Sequence, residues 1–146
     1  MRAAVVDRYG PPHVVRITDV PTPVPRPGEV LVRVHAAAVT AGDARIRGAR
    51  FPRGFSVPAR LAFGPFRPRR PIPGMAFSGV VATAAGGFAP GDEVCGMTGI
   101  RSGAHAEYVA VGAGRIVAKP AEVGHEDAAG LLFGGSTALY FLRDRA

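Results

Sequence analysis

The side chains in this sequence best suited to chemistry are four histidines, His13, His35, His105 and His125, one cysteine, Cys95, and a few hydroxyls near glycines. The histidines show no ligand spacing such as H-x-x-x-H and fall in different segments, so they do not make a recognisable zinc site. Cys95 stands in a strand-like stretch with no second cysteine. A small core residue is the better reading of it than a reactive or ligating thiol. One cysteine makes neither an internal disulfide nor a cysteine-rich zinc site, which fits a reducing compartment. The stretch PGMAFSGVVATAAGGFAPGDEVCG, residues 73–96, looks at first like a phosphate loop. A dinucleotide fingerprint, however, needs G-x-G-x-x-G between a strand and a helix. Gly86, Gly87 and Gly91 lie between two strand candidates, where turns account for them. No G-x-S-x-G elbow is present, and Ser78 leads into a strand rather than a helix. Asp43 and Arg47 have the i,i+4 spacing of a helical ion pair, so a structural pairing is expected of them.

The elements that must position these residues are mostly short strands. Residues 2–6 and 14–20 read as a hairpin around Gly10-Pro11-Pro12. The proline-rich residues 21–28 forbid helix and ladder bonding and form an extended connector. In EVLVRVHAAAV, Val30, Val32, Val34 and Ala36 share one face at period two, with Leu31, Arg33 and His35 on the other. A short helix is expected over residues 42–48, and a long loop with phenylalanine anchors over 51–73. Further strands are expected at 77–83, 92–97, 104–111 and 115–118. After Pro120 the sequence turns alanine- and leucine-rich, with Glu126 and Asp127 where a helix start favours negative charge. That predicts a helix broken near Gly134-Gly135, with Ser136 capping the second piece. The expected class is therefore mainly β with terminal helices, an α+β chain divided into a barrel over 1–124 and a helical segment over 125–146.

At 146 residues, 47% hydrophobic, with 20 Gly and 14 Pro scattered without repeat, the chain suits one turn-rich globular domain. The start has no signal-peptide pattern and no run approaches eighteen apolar residues, so a cytoplasmic protein with no membrane partner is expected. The net charge of +7 comes from 17 Arg and one Lys, Lys119. Arg45, Arg47, Arg50, Arg53, Arg60, Arg67, Arg69 and Arg70 fall in residues 44–91, which hold no Asp or Glu. The excess belongs to that segment, a candidate anion-binding surface.

The order of motifs resembles the N-terminal, GroES-like catalytic domain of the medium-chain dehydrogenase/reductase superfamily, nearest its zinc-independent quinone oxidoreductases. The resemblance covers essentially the whole chain and rests on residues 1–39, GDARIRG, PGMAFSGVV, FAPGDEVCG, GAHAEYVAV and KPAEVGHEDAAGLLFGGSTALYFL. It implies a GroES-like β-barrel without the Rossmann domain, and hydride transfer from NADPH or NADH to a quinone- or enone-type acceptor. It also implies that zinc is absent. Zinc-dependent relatives carry a cysteine at the position of Thr40 and His and Glu at Met75 and Ala76, and they have a four-cysteine zinc lobe with no counterpart here. By the same resemblance Thr40 lies by the nicotinamide and substrate. Its hydroxyl either donates to a carbonyl or bonds its own backbone. Phe51 falls where many such relatives place a tyrosine beside the substrate, which leaves an aromatic wall without the hydroxyl. By the same resemblance Met75 is expected on the substrate side. Thr137 is either a cofactor neighbour or a helix cap.

Such a chain should bind cofactor poorly without a nucleotide-binding domain and is expected to be inactive alone. Leu131, Leu132, Phe133, Leu139 and Phe141 would then be exposed, inviting self-association or a partner domain. Two other readings stand beside this one. The first is a non-enzymatic protein-binding module. The second, less favoured, is nucleic-acid binding through the arginine segment, which would show steep salt dependence.

Overall fold

The computed structural model describes residues 1–52 and 54–145. Strand β1 (Arg2–Val6) and β2 (Val15–Asp19) pair antiparallel, joined through a 3-10 turn at Pro12–Val14. The long strand β3 (Glu29–Ala38) leads into helix α1 (Ala41–Arg47), then helix α2 (Ser56–Phe63). Next come β4 (Ala76–Val81), β5 (Glu93–Met97), β6 (Tyr108–Gly112), β7 (Ile116–Ala118) and helix α3 (His125–Arg143). Strands β6-β3-β4-β5-β7 form one antiparallel sheet in that order. β1 is stitched to the segment before β6, with Ala4 N–H donating to His105 O and Glu107 N–H to Arg2 O. The curled sheet is the expected mainly-β GroES-like half-barrel, and no Rossmann domain is among the described residues. No described helix is long and apolar enough to cross a membrane.

The core sits inside the curl, built from Val30, Val32, Phe77, Val94, Val109 and Ile116 with their neighbours. Val30 and Val32 are fully buried while Arg33 is exposed, as the period-two pattern predicts. The alternation ends where the β3–β4 register shifts between Val34 and Ala36, a bulge that leaves His35 out of the ladder. Gly86 and Gly87, at φ 60° and 88°, form a tight turn closed by reciprocal bonds between Ala85 and Phe88. The glycines of that stretch are thus turn residues.

Three expectations are corrected. Residues 51–73 are not one loop, because α2 occupies Ser56–Phe63. Pro58 falls in its first turn, where no intrahelical N–H is needed, and Ala59 is buried beneath it. The strand expected from 104 begins only at Tyr108, since Ala104 and His105 spend their N–H groups on Gly74 and Pro73. Finally, α3 is one continuous helix through Gly134 and Gly135, which keep helical backbone. Each glycine costs about 1 kcal/mol relative to alanine, and the flanking residues are good helix formers that outweigh it.

Gly79 marks where β3 and β4 approach most tightly, since a Cβ there would lie 2.1 Å from Arg33 O. Gly79→Ala should destabilise the chain by about 1–3 kcal/mol. The measurement is a urea unfolding midpoint, and an unchanged midpoint would contradict this account of the β3–β4 contact.

Candidate functional site around Thr40 and Asp43

The site grows from the end of β3. Thr40 is the N-cap of α1, with extended backbone, and its spacing to Asp43 is that of a capping box. Asp43 N–H donates to Thr40 Oγ1 (3.3 Å), while Thr40 N–H donates to Asp43 Oδ2 (2.9 Å). The Thr40 hydroxyl donates to the same Oδ2 (2.7 Å). Asp43 is 5% exposed, and its other oxygen accepts from Gly74 N–H (3.1 Å), which ties α1 to the segment entering β4.

That tie places Met75 beside Thr40. A Cβ on Gly42 would lie 2.7 Å from the Met75 methyl and 3.3 Å from Thr40 Oγ1, so glycine leaves room for both side chains on this side of α1. Buried Thr98 closes the far side, with its N–H donating to Met75 O (2.8 Å). His105 packs on Gly74 and its Nε2 lies 3.0 Å from Ala38 O. Gly74, Thr98 and His105 join the site through tertiary contacts that no local sequence signal marks, whereas the T-x-x-D spacing of Thr40 and Asp43 is itself a capping-box signal.

The ion pair expected between Asp43 and Arg47 is corrected. Asp43 is committed to Thr40 and Gly74, whereas Arg47 sends Nε to Gly10 O (3.3 Å) and takes Gly10 N–H on its own carbonyl. The cap outcompetes the i,i+4 partner because it satisfies orphan N–H groups at the helix start. The Thr40 hydroxyl likewise has its single proton on Asp43, which leaves a lone pair rather than a donor for any ligand.

Phe51 stacks on Phe63 of α2, with centroids 5.8 Å apart and rings 8° from parallel. Through Phe63 it backs a cavity of about 290 Å³ that Ile46, Arg69, Arg70, Ile100 and Ser102 also line. Thr137 stands elsewhere, exposed on α3, where its hydroxyl donates to Phe133 O (2.7 Å). It is a mid-helix back-bond and not a cap. Ser136 does the same to Leu132 O, which corrects the expected second helix start. Leu131, Phe133, Leu139 and Phe141 are exposed along this half of α3, and Leu132 is half-buried.

Cys95 is buried, and desolvation pushes its thiol pKa up against the opposing charge of Lys119. That is the profile of an inert core thiol. Arg53 of the arginine segment lies outside the described residues. Among the others, Arg47 and Arg60 each donate to a backbone carbonyl of the protein itself. Among the described residues no group of three or more His, Cys, Asp or Glu is arranged to hold a metal ion.

The curled antiparallel half-barrel, with the helix cap of α1 tied to β4, is the class of domain the chain presents. The match to known proteins agrees: residues 26–121 fit the alcohol dehydrogenase GroES-like domain, and the chain belongs to that family. It is 31% identical over 109 residues to human quinone oxidoreductase, a match covering 74% of this chain and 30% of that protein. The solved quinone oxidoreductase of Coxiella burnetii superposes with a TM-score of 0.83 at 31% identity, over 99% of this chain and 44% of that one. A mycobacterial protein solved in complex with NADPH matches at a TM-score of 0.77 and 30% identity, over 99% and 40% of the two chains. The chain thus spans less than half the length of each of these relatives.

Removing the carboxylate should leave the buried Gly74 N–H and the half-buried Thr40 donors unpaired. Asp43→Ala is expected to cost at least about 2 kcal/mol, given roughly 1–3 kcal/mol for an unsatisfied buried group. A double-mutant cycle with Arg47→Ala should be additive within about 0.5 kcal/mol. A larger coupling energy in chemical denaturation would restore the ion pair.

Proposed function

We propose that this chain is the catalytic half of a zinc-free NAD(P)H-dependent oxidoreductase that reduces quinone- or enone-type carbonyl acceptors by hydride transfer. The observation that carries the proposal is the platform of Thr40, Asp43 and Met75 at the end of β3, in a chain of this family. The donor set there does not suit zinc. Thr40 Oγ1 is taken by Asp43, Met75 offers a thioether packed on Gly42, and Ala76 has no ligating atom. When bound, the nicotinamide supplies the hydride, and the protein's part is to orient it and shape the acceptor pocket.

Thr40 is the residue we assign to the nicotinamide end. Its remaining lone pair suits a donor, such as a ribose hydroxyl or the carboxamide N–H, better than a substrate carbonyl oxygen. Met75 and the Phe51–Phe63 stack provide an apolar wall for the acceptor, without the phenolic hydroxyl that a tyrosine would add. The boundary at 124/125 separates the barrel from a helix leading toward the nucleotide-binding half. Thr137 then approaches the dinucleotide only when that half is in place. The exposed apolar residues of α3 support association with such a domain, or of the chain with itself.

NADPH oxidation with a simple quinone and with an enone should be negligible for the chain alone and appear when a nucleotide-binding domain is joined after α3. Activity of the isolated chain comparable to a two-domain enzyme would refute the proposal of a catalytic half. In the joined protein, Thr40→Val should raise the KM for NADPH about tenfold, the worth of one hydrogen bond of roughly 1.4 kcal/mol, with little change in the KM for quinone. The opposite pattern would place Thr40 on the substrate.

A further inference from the structure

One polar cluster takes no part in the site above. At the first residue of α3, His125 Nδ1 lies 2.8 Å from the hydroxyl of Ser78 on β4, a residue with no solvent exposure. Ser78 also lies 3.0 Å from Val94 O of β5, to which it donates. On the other side of the ring, His125 Nε2 faces Glu93 Oε1 at 3.4 Å. Glu93 Oε2 is held by Lys119 Nζ at 3.0 Å. That ammonium, 4% exposed, also donates to Pro120 O (3.0 Å) and Val123 O (2.6 Å) in the link to α3. Over the face of His125 lies His35, the bulge residue of β3, with ring centroids 4.6 Å apart and planes 29° from parallel. Strands β3, β4 and β5 and the end of β7 therefore converge on one imidazole.

The proton count of this cluster is constrained. Ser78 has one hydroxyl proton, and with that proton on Val94 O it accepts from His125 Nδ1–H. On the other side of the ring, His125 Nε2 faces the Glu93 carboxylate. Both ring nitrogens of His125 thus face oxygen atoms of the barrel, which fixes the ring under His35. A positive charge on the stacked His35 ring would be set directly against the His125 ring. Burial foremost, then the charges of His125 and Arg33, hold the His35 pKa below the ordinary value of 6.5, with Glu93 opposing. Glu126 and Asp127 add negative charge in the same turn of α3, which moderates the repulsion. Glu93 itself is kept ionised foremost by its hydrogen bond to Lys119, so mild acid acts on His35 before it.

We propose that His35 and His125 form a proton-sensitive latch that positions α3 on the barrel, closed while His35 is neutral and loosened when its ring takes a proton beside His125. A group whose folded pKa is depressed favours the folded contact at high pH. Docking of α3 is therefore strongest above pH 6.5 and weakens as pH falls through the folded value. Because α3 carries Thr137 and the exposed apolar residues, the latch sets how those groups are presented. It involves none of the residues assigned to the ligand site, so its failure would leave that assignment untouched.

The test is amide hydrogen exchange on the 146-residue chain, corrected for intrinsic rates, at about pH 7.5 and about pH 5.5, either side of the histidine range. Protection of Ala128 and Ala129, both buried on α3, should fall severalfold in acid. Val32 and Phe77 in the barrel should not respond. His35→Phe keeps a flat ring without a titrating proton and should hold α3 protection constant across the two pH values. Protection that is pH-independent in the parent chain, or acid loss that persists in His35→Phe, would overturn the latch. Should that variant misfold, ring resonances of the parent chain decide: mutually dependent titration of His35 and His125 supports the latch, and independent titration overturns it.

Discussion

Asp43 takes hydrogen bonds from three donors on two separate segments while almost wholly removed from water. A carboxylate in that position is costly unless its lone pairs are filled, so it fixes whatever fills them. Here that means the start of α1 and the loop entering β4. Thr40, Gly42 and Met75 hold their relative places because of it. The strong φ of Gly74, +97°, and its tight contact with His105 follow from bringing its N–H to the carboxylate. The start of α1 and the entry to β4 are thus organised by one buried carboxylate.

The same rule operates at the opposite polarity under α3, where the nearly buried Lys119 ammonium has two carbonyls and a carboxylate around it. Among the described residues no buried side-chain nitrogen or oxygen lacks a partner. The apolar core inside the curl sets that the sheet closes. The satisfied polar groups set how the helices sit on it, since alternative placements would strand a donor or an acceptor.

Much of the fold was legible because it follows from local rules. Alternation in β3 depends on neighbours two residues apart, and the Gly86-Gly87 turn depends on backbone freedom at two positions. The misreadings also share a cause. Pro58 suggested loop and Gly134-Gly135 suggested a break, yet the first sits in a helix's first turn and the second in the interior of a long helix. Composition alone does not distinguish those places from true breaks. The Asp43–Arg47 spacing permitted a pair, but two segments competed for the carboxylate and only one of them was near in sequence.

By itself, the sequence determined the strand-rich class, the turns and the capping-box spacing at Thr40 and Asp43. These depend on residue type and on separations of a few positions. Only the tertiary structure decided that Asp43 reaches Gly74 across 31 residues, that Ser78 meets His125 across 47, and that His105 meets Ala38 across 67. No local periodicity encodes such meetings. They arise when the sheet curls, the bulge at His35 turns its ring outward from the ladder, and each buried polar atom takes the partner that closure brings within reach.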